Sequence, residues 1–306
     1  MMPESLIASL ESLPGDPRLG FFGPESITWK MNRESAVFLG AGRAALLQLA
    51  HPWVAAALAH HSNLLHDAVG RFHSTFRVIY TMLFGDRAQA ALAAQQLYLR
   101  HLTIEGKLPD GQHYQANDIA ALRWVYATLV ESAVLAYQFA LPPLSLEERE
   151  RYYQESKRMA ALFGIPEDDL PADWPAFAQY TAHMFDSPVL MVDDNARALG
   201  VSVLSGVGTW VHPPRWYRAL TSYWIPPRLR ESFALKFAEQ DEELVQRAAR
   251  WVPKVYRRLP DVVRFVGPYH EAAARLRGRL PGPLTRRSNN FWMGQPRLLY
   301  SEEEKT

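Results

Sequence analysis

Apolar positions recur along most of this chain at the three-to-four-residue spacing of a helix. Residues 25–50, rich in Ala and Leu, predict one long helix. Pro52 suits the first turn of the next, over 52–61, because its missing N–H would be unpaired there anyway. A third helix over 66–84 gathers Phe72, Phe76, Ile79, Tyr80 and Leu83, and closes at Gly85. Asp86 caps a fourth over 87–105, closed by Gly106. KLPDGQHY is a loop turning at its Asp-Gly pair. Asp118 caps a helix reaching Phe139. Ser145 opens another, with Glu148 at capping-box spacing, and Asp173 caps the one after. Beyond a Gly/Ser-rich bend near 205–209, short helices alternate with Pro-Pro breaks at 213–214 and 226–227. No run of alternating β-branched residues predicts a sheet. The pattern therefore gives an all-α protein, one multi-helix domain over residues 1–280. Residues 281–306 read as an extended C-terminal tail, which Trp292 and Leu298–Tyr300 tie down or dock on a partner.

Composition narrows the chemistry. The chain has 306 residues, 48% of them hydrophobic, enough for a large core. A net charge of +1 gives no drive toward nucleic acid. The absence of cysteine excludes disulfides, thiolate zinc sites, cysteine-held iron–sulfur clusters and thiolate-ligated haem. Any metal here is held by His, Tyr, Met or a carboxylate. The opening MMPESLIASLESLPGDP has neither a basic start nor a long apolar run, which points to a cytoplasmic protein. The longest apolar stretch, Ser35 to Ala59, is broken by Arg43, Gln48 and His51-Pro52 and reads as core. Residues 251–287 carry nine Lys and Arg against two acids. They form either a solvated face or a contact for an anionic membrane surface or acidic partner.

Few side chains stand out as chemical. At about 100° per residue, Arg71 and Thr75 lie about 40° apart on one helix face, beside Phe72, Ile79 and Met82. They could hold an anion or a polar ligand at the rim of an apolar pocket, but the spacing alone equally describes a surface pair. Ser74 occupies the adjoining strip and His73 points elsewhere. His101 shares its face with Leu97, Tyr98 and Ile104; it is either a satisfied core residue or a metal or haem ligand. His51 precedes Pro52 at a helix junction, where it would cap the break. His60, His61 and His66 lack zinc-site spacing and read as solvated. GAGRAA at 40–45 has no preceding strand and no third glycine, so it is not a dinucleotide fingerprint.

Taken in order, several stretches resemble one family. They are RAALLQLAHPWVAAALAHHS at 43–62, Gly70-Arg71-x-x-x-Thr75, Phe84-Gly85, the run 100–138 with His101-x-x-Ile104-x-Gly106, and IPPRLRES at 225–232. The family is that of latex-clearing protein (rubber oxygenase) and the mycophenolic-acid biosynthesis oxygenase, and the likeness spans roughly residues 20–280. The resemblance implies a globin-like all-α core around haem b, with His101 as proximal iron ligand. Arg71 and Thr75 would lie on the distal side, with Tyr126 beside the cofactor where the family often has His. O2 and an apolar, isoprenoid- or lipid-like molecule would be the substrates. Three departures matter. Ser74 stands where the rubber-cleaving branch has lysine, Trp53–Ala57 lacks that branch's acid, and Tyr126 replaces an imidazole. They argue against polyisoprene itself as substrate. Two other readings are a haem or apolar-ligand binder without turnover, and a cofactor-free membrane-surface protein.

Overall fold

The computed structural model describes residues 11–13, 16–62, 67–206 and 212–298. It is all-α, with one small hairpin. Its first half comprises α1 (Ile27–Asn32), a 3-10 helix (Ser35–Gly40), α2 (Ala41–Leu49), α3 (Pro52–His61), α4 (Ala68–Phe84) and α5 (Arg87–His101). Then come β1 (Glu105–Lys107), β2 (His113–Gln115) and α6 (Ile119–Ala140). The second half comprises α7 (Leu146–Leu162), α8 (Trp174–Asp186), α9 (Asp194–Ser205), α10 (Arg215–Trp224), α11 (Pro227–Ser232) and α12 (Glu239–Tyr256). It ends with α13 (Asp261–Arg264), α14 (Gly267–Leu276) and α15 (Pro283–Met293).

Helix α6 is the axis. Asp118 caps it by accepting from the Ala121 N–H at 2.9 Å. The 3-10 helix, α2, α7, α8 and α12 all pack on it. Small residues let neighbours approach: a Cβ on Gly40 would sit 2.4 Å from the Ser132 carbonyl oxygen of α6. Trp124 is fully buried and donates its indole N–H to the Leu47 carbonyl of α2 at 2.9 Å. Among the described residues, α6 is the one helix long and apolar enough to cross a membrane, but 61% of its apolar window is buried by the rest of the fold. The longest apolar helix is therefore α6 and not the 35–59 stretch.

The one long helix expected over 25–50 is instead three elements, α1, the 3-10 helix and α2, broken where Glu34 turns away to a distant partner. The chain turns extended at Glu34 and bridges to Phe265 before the 3-10 helix. The buried Glu34 carboxylate accepts from Arg264 at 2.6 and 2.7 Å and from the Tyr256 hydroxyl at 3.0 Å. Arg43 is also buried. It donates to the Trp224 carbonyl (3.0 Å), the Ser132 hydroxyl and the Glu131 carboxylate (both 2.9 Å). A buried charge is tolerated when its bonds are all made, and these two tie the first helices to the last ones.

Two more sequence expectations need correction. The loop after His101 is a hairpin: Glu105–Lys107 pairs antiparallel with His113–Gln115 around the Asp110-Gly111 turn, where Gly111 has φ 88°. The alternation in a three-residue strand is too short to register as a pattern. The second concerns the tail from 281, which is not extended. Pro283 starts α15 and left-handed Gly294 ends it, the usual Pro-first, Gly-last arrangement. Trp292 packs on Phe38 with ring centres 4.2 Å apart, and Arg77 donates to the Met293 carbonyl. Residues 295–298 are then held by Glu271, which accepts from the Leu298 N–H at 3.0 Å and the Asn289 amide at 2.6 Å. Leu298 is buried, whereas Leu299 and Tyr300 lie outside the described residues, as do 207–209 of the Gly/Ser-rich bend.

Glu34→Ala should cost about 3 kcal/mol of unfolding free energy, since it removes the carboxylate that the Arg264 guanidinium is bonded to. Urea unfolding measures it, and a cost no larger than a surface pair's, below about 1 kcal/mol, would deny Glu34 the anchoring role.

Candidate functional site

The last residue of α5 faces a crevice. Asp86 starts that helix with a reciprocal capping box through Gln89, and the helix ends at His101 with Leu102 as C-cap. The chain then turns, and the hairpin folds back over the opening. Tyr114 of the hairpin lies against Gly106, where a Cβ would meet its hydroxyl at 2.6 Å. The hydroxyl also meets His60 Nδ1 at 2.9 Å, and His61 Nε2 lies 3.0 Å from the Glu105 carbonyl. His60 and His61 are thus not merely solvated; they fasten α3 to the hairpin. His66 lies outside the described residues.

The crevice encloses about 140 Å³ and opens to solvent. Val54, Ala57 and Leu58 of α3 form one wall; Ala121, Leu122 and Val125 of α6 form another. Gln48, Trp53, Ile104, Tyr114 and Gln115 also border it, as do His61, Arg71 and His101. Its surface is mostly hydrocarbon, and among the described residues no carboxylate lines it.

His101 and Arg71 are unusual. Among the described residues, neither ring nitrogen of His101 makes a hydrogen bond, and its Nδ1 is fully buried. Asn117 faces that ring and favours its charged form, yet its Oδ1 is also buried without a hydrogen bond of ordinary geometry. The Asn117 amide nitrogen is anchored on the Tyr98 carbonyl at 3.3 Å. Burial is the main cause that lowers the His101 pKa to about 4, and the nearby Arg71 and Arg100 push the same way against Asn117. The imidazole is therefore neutral at physiological pH, the form that ligates a metal. Arg71 sits in the first turn of α4, which Asp67 caps through the Gly70 N–H at 2.8 Å. Its guanidinium has no carboxylate or hydrogen-bond partner among the described residues. Burial, then Arg100, lowers its pKa, though an arginine stays charged.

The other expected site residues lie elsewhere. Thr75 does not border the crevice; its hydroxyl donates to the Arg71 carbonyl at 2.9 Å, and Ser74 does the same. Helical spacing puts Thr75 beside Arg71 but cannot say that a back-bond to its own helix takes the hydroxyl. Tyr126 is buried, donates to the Ser156 carbonyl of α7, and lines a separate small pocket with Ala127 and Phe177. Adjacent helix positions point about 100° apart, so Tyr126 does not line the crevice that Val125 borders. His73 reaches the Phe291 carbonyl of α15 at 3.1 Å. His51 is the N-cap of α3 but caps with its backbone only; its buried Nδ1 is unpartnered and burial lowers its pKa. Sequence reasoning missed the hairpin contribution entirely. The one available signal was the Asp-Gly turn ten residues after His101.

The comparisons with known proteins bear on this crevice. Residues 29–254 match the model of a family described as ER-bound oxygenase mpaB/B'/Rubber oxygenase, catalytic domain. The chain belongs to this family. Both walls of the crevice, Arg71 and His101 fall inside the matched oxygenase domain. The chain is also similar to uncharacterized proteins of Mycobacterium bovis (Mb2261) and Mycobacterium tuberculosis (Rv2237). Each is 24% identical over 224 residues, covering 69% of this chain and 84% of the relative. No solved structure matches the chain.

The buried imidazole makes stability pH-dependent in the protein without added cofactor. Its pKa is lower folded (about 4) than unfolded (6.5), so the unfolded state binds more protons between those values and stability rises with pH across them. On acidification through that window the wild type should lose on the order of 3 kcal/mol more than His101→Gln. Urea titrations of both proteins measure it, and parallel pH profiles would show that the ring is not held neutral by the fold.

Proposed function

We propose that this protein is a haem-b-dependent oxygenase that uses O2 on an apolar, isoprenoid- or lipid-like small molecule. The observation carrying this reading is a neutral, partnerless imidazole at a hydrocarbon-lined crevice, beside an unpaired arginine, inside an oxygenase catalytic domain.

The donor set fits haem. A porphyrin asks for an uncharged nitrogen to iron, apolar walls for its faces, and a cation for its propionates. His101 offers the first; the α3 and α6 walls offer the second; Arg71 offers the third. The void, about 140 Å³, is below the roughly 300 Å³ at which small-molecule pockets begin, so it would have to widen to take a porphyrin. Haem bound there supplies the activation of O2.

The chain's own residues do the rest. His101 would hold the iron through its cavity-facing nitrogen. Asn117, which faces the ring, would accept from Nδ1–H once the ring is bound and so fix its tautomer, as the outer partner of a metal-bound His ordinarily does. Arg71 keeps a positive charge at the cavity, where it meets a propionate or negative charge developing on oxygen. Val54, Ala57, Leu122 and Val125 exclude water and receive hydrocarbon. With no carboxylate on the wall among the described residues, no general base of that kind serves deprotonation, so polyisoprene cleavage by the rubber-cleaving branch's chemistry is not the proposed reaction. One observation favours ligand binding without turnover instead: the Thr75 hydroxyl is committed to its own helix.

Titrating the purified protein with hemin tests the proposal. The wild type should develop a Soret band at a one-to-one ratio, and His101→Ala should lose it. Asn117→Leu should keep it with about 10- to 100-fold weaker affinity. No band in the wild type, or an unchanged band in His101→Ala, would overturn the assignment. Oxygen consumption by the loaded protein with candidate alkenes separates turnover from binding.

A further inference from the structure

We infer that the turn joining α14 to α15 together with the start of α15, residues 277–287, is a membrane-contact site for an anionic lipid surface. It needs no cofactor and stands apart from the proposed oxygenase function.

Leu280 and Leu284 are 72% and 70% exposed, among the most exposed large apolar side chains of the described residues. Single exposed leucines are common, but these two flank one turn. Arg277, Arg279, Arg286 and Arg287 surround them, all at least partly exposed. No acidic residue occurs between Glu271 and Glu302, so nothing in this stretch offsets the charge. Of the other cations of the basic 251–287 region, Arg264 is paired with Glu34 and Arg275 donates to the Phe84 carbonyl, while Lys254, Arg257 and Arg258 are exposed near the end of α12. Four of the region's exposed cations thus stand within eleven residues, on either side of the two leucines.

The turn is also built to hold its shape. Pro281, between the leucines, is buried, and its carbonyl accepts from Arg286 Nε at 3.0 Å. Gly278 takes a left-handed conformation, φ 68°, with open space where a Cβ would stand. Helices α14 and α15 pack on each other and on α4, so both ends are anchored. A fixed pair of leucines loses little conformational freedom on insertion. Apolar tips ringed by arginine match the two layers of a bilayer surface, acyl boundary beneath and anionic headgroups above. A nucleic acid or acidic protein would use the arginines but leave both leucines in water, so the lipid surface is favoured.

Sedimentation of the full-length chain with vesicles tests this. It should bind vesicles of phosphatidylcholine with phosphatidylserine, bind poorly to phosphatidylcholine alone, and weaken with added salt. Leu280→Ser with Leu284→Ser should lower affinity at least tenfold while keeping the wild-type melting temperature, as both positions are exposed. Arg277→Gln and Arg279→Gln should each lower it about fivefold. A fluorophore attached through Leu284→Cys should shift to the blue with phosphatidylserine vesicles. Any of three results would overturn the inference: no preference for phosphatidylserine, a leucine variant that binds like wild type, or retention on polyanions such as heparin without vesicle binding.

Discussion

An imidazole buried among hydrocarbon and close to two arginines cannot afford a proton. Desolvation and like-charge repulsion both act on His101 in that direction, and only the Asn117 amide opposes them. Its ring therefore presents a lone pair where a solvated histidine would be partly cationic. The same lack of compensation leaves Arg71 as a fixed positive charge without a counterion among the described residues. A neutral nitrogen donor and an unpaired cation on one apolar crevice are complementary to a ligand having hydrocarbon, a Lewis-acidic centre and negative charge.

The fold keeps those groups where they are through ties distant from them. Arg43 binds α2 to α6 and to the end of α10, and Glu34 binds the start of the 3-10 helix to α12 and α13. Phe38 meets Phe72, Phe76 and Trp292, so the 3-10 helix, α4 and α15 share one aromatic cluster. That cluster sets the position of α4 and hence of Arg71 at its first turn. The His60 and His61 contacts hold the hairpin beside His101. Position at the crevice is thus a product of the whole helical assembly and of one short β element.

Much of this was legible in the residues. Caps at Asp86, Asp118, Ser145 and Asp173 placed helix starts correctly, because a side-chain acceptor for free N–H groups is a local requirement. The ordered motifs placed the chain in its family and singled out Arg71 and His101. Less visible was anything decided by contacts distant in sequence. The break at Glu34 depends on Arg264, some 230 residues on. The role of Thr75 depends on which oxygen its hydroxyl meets, and that of Tyr126 on which side of α6 faces α7. Periodicity gives a face, not what the face touches.

The central claim is that the His101 ring is the point on which an iron cofactor is held. A crystal structure of the protein grown with hemin tests it most directly. The account predicts iron bonded to the cavity-facing nitrogen of His101, with Asn117 Oδ1 on the other ring nitrogen and the porphyrin between α3 and α6. Hemin lodged elsewhere, or iron bound to another side chain, would contradict it.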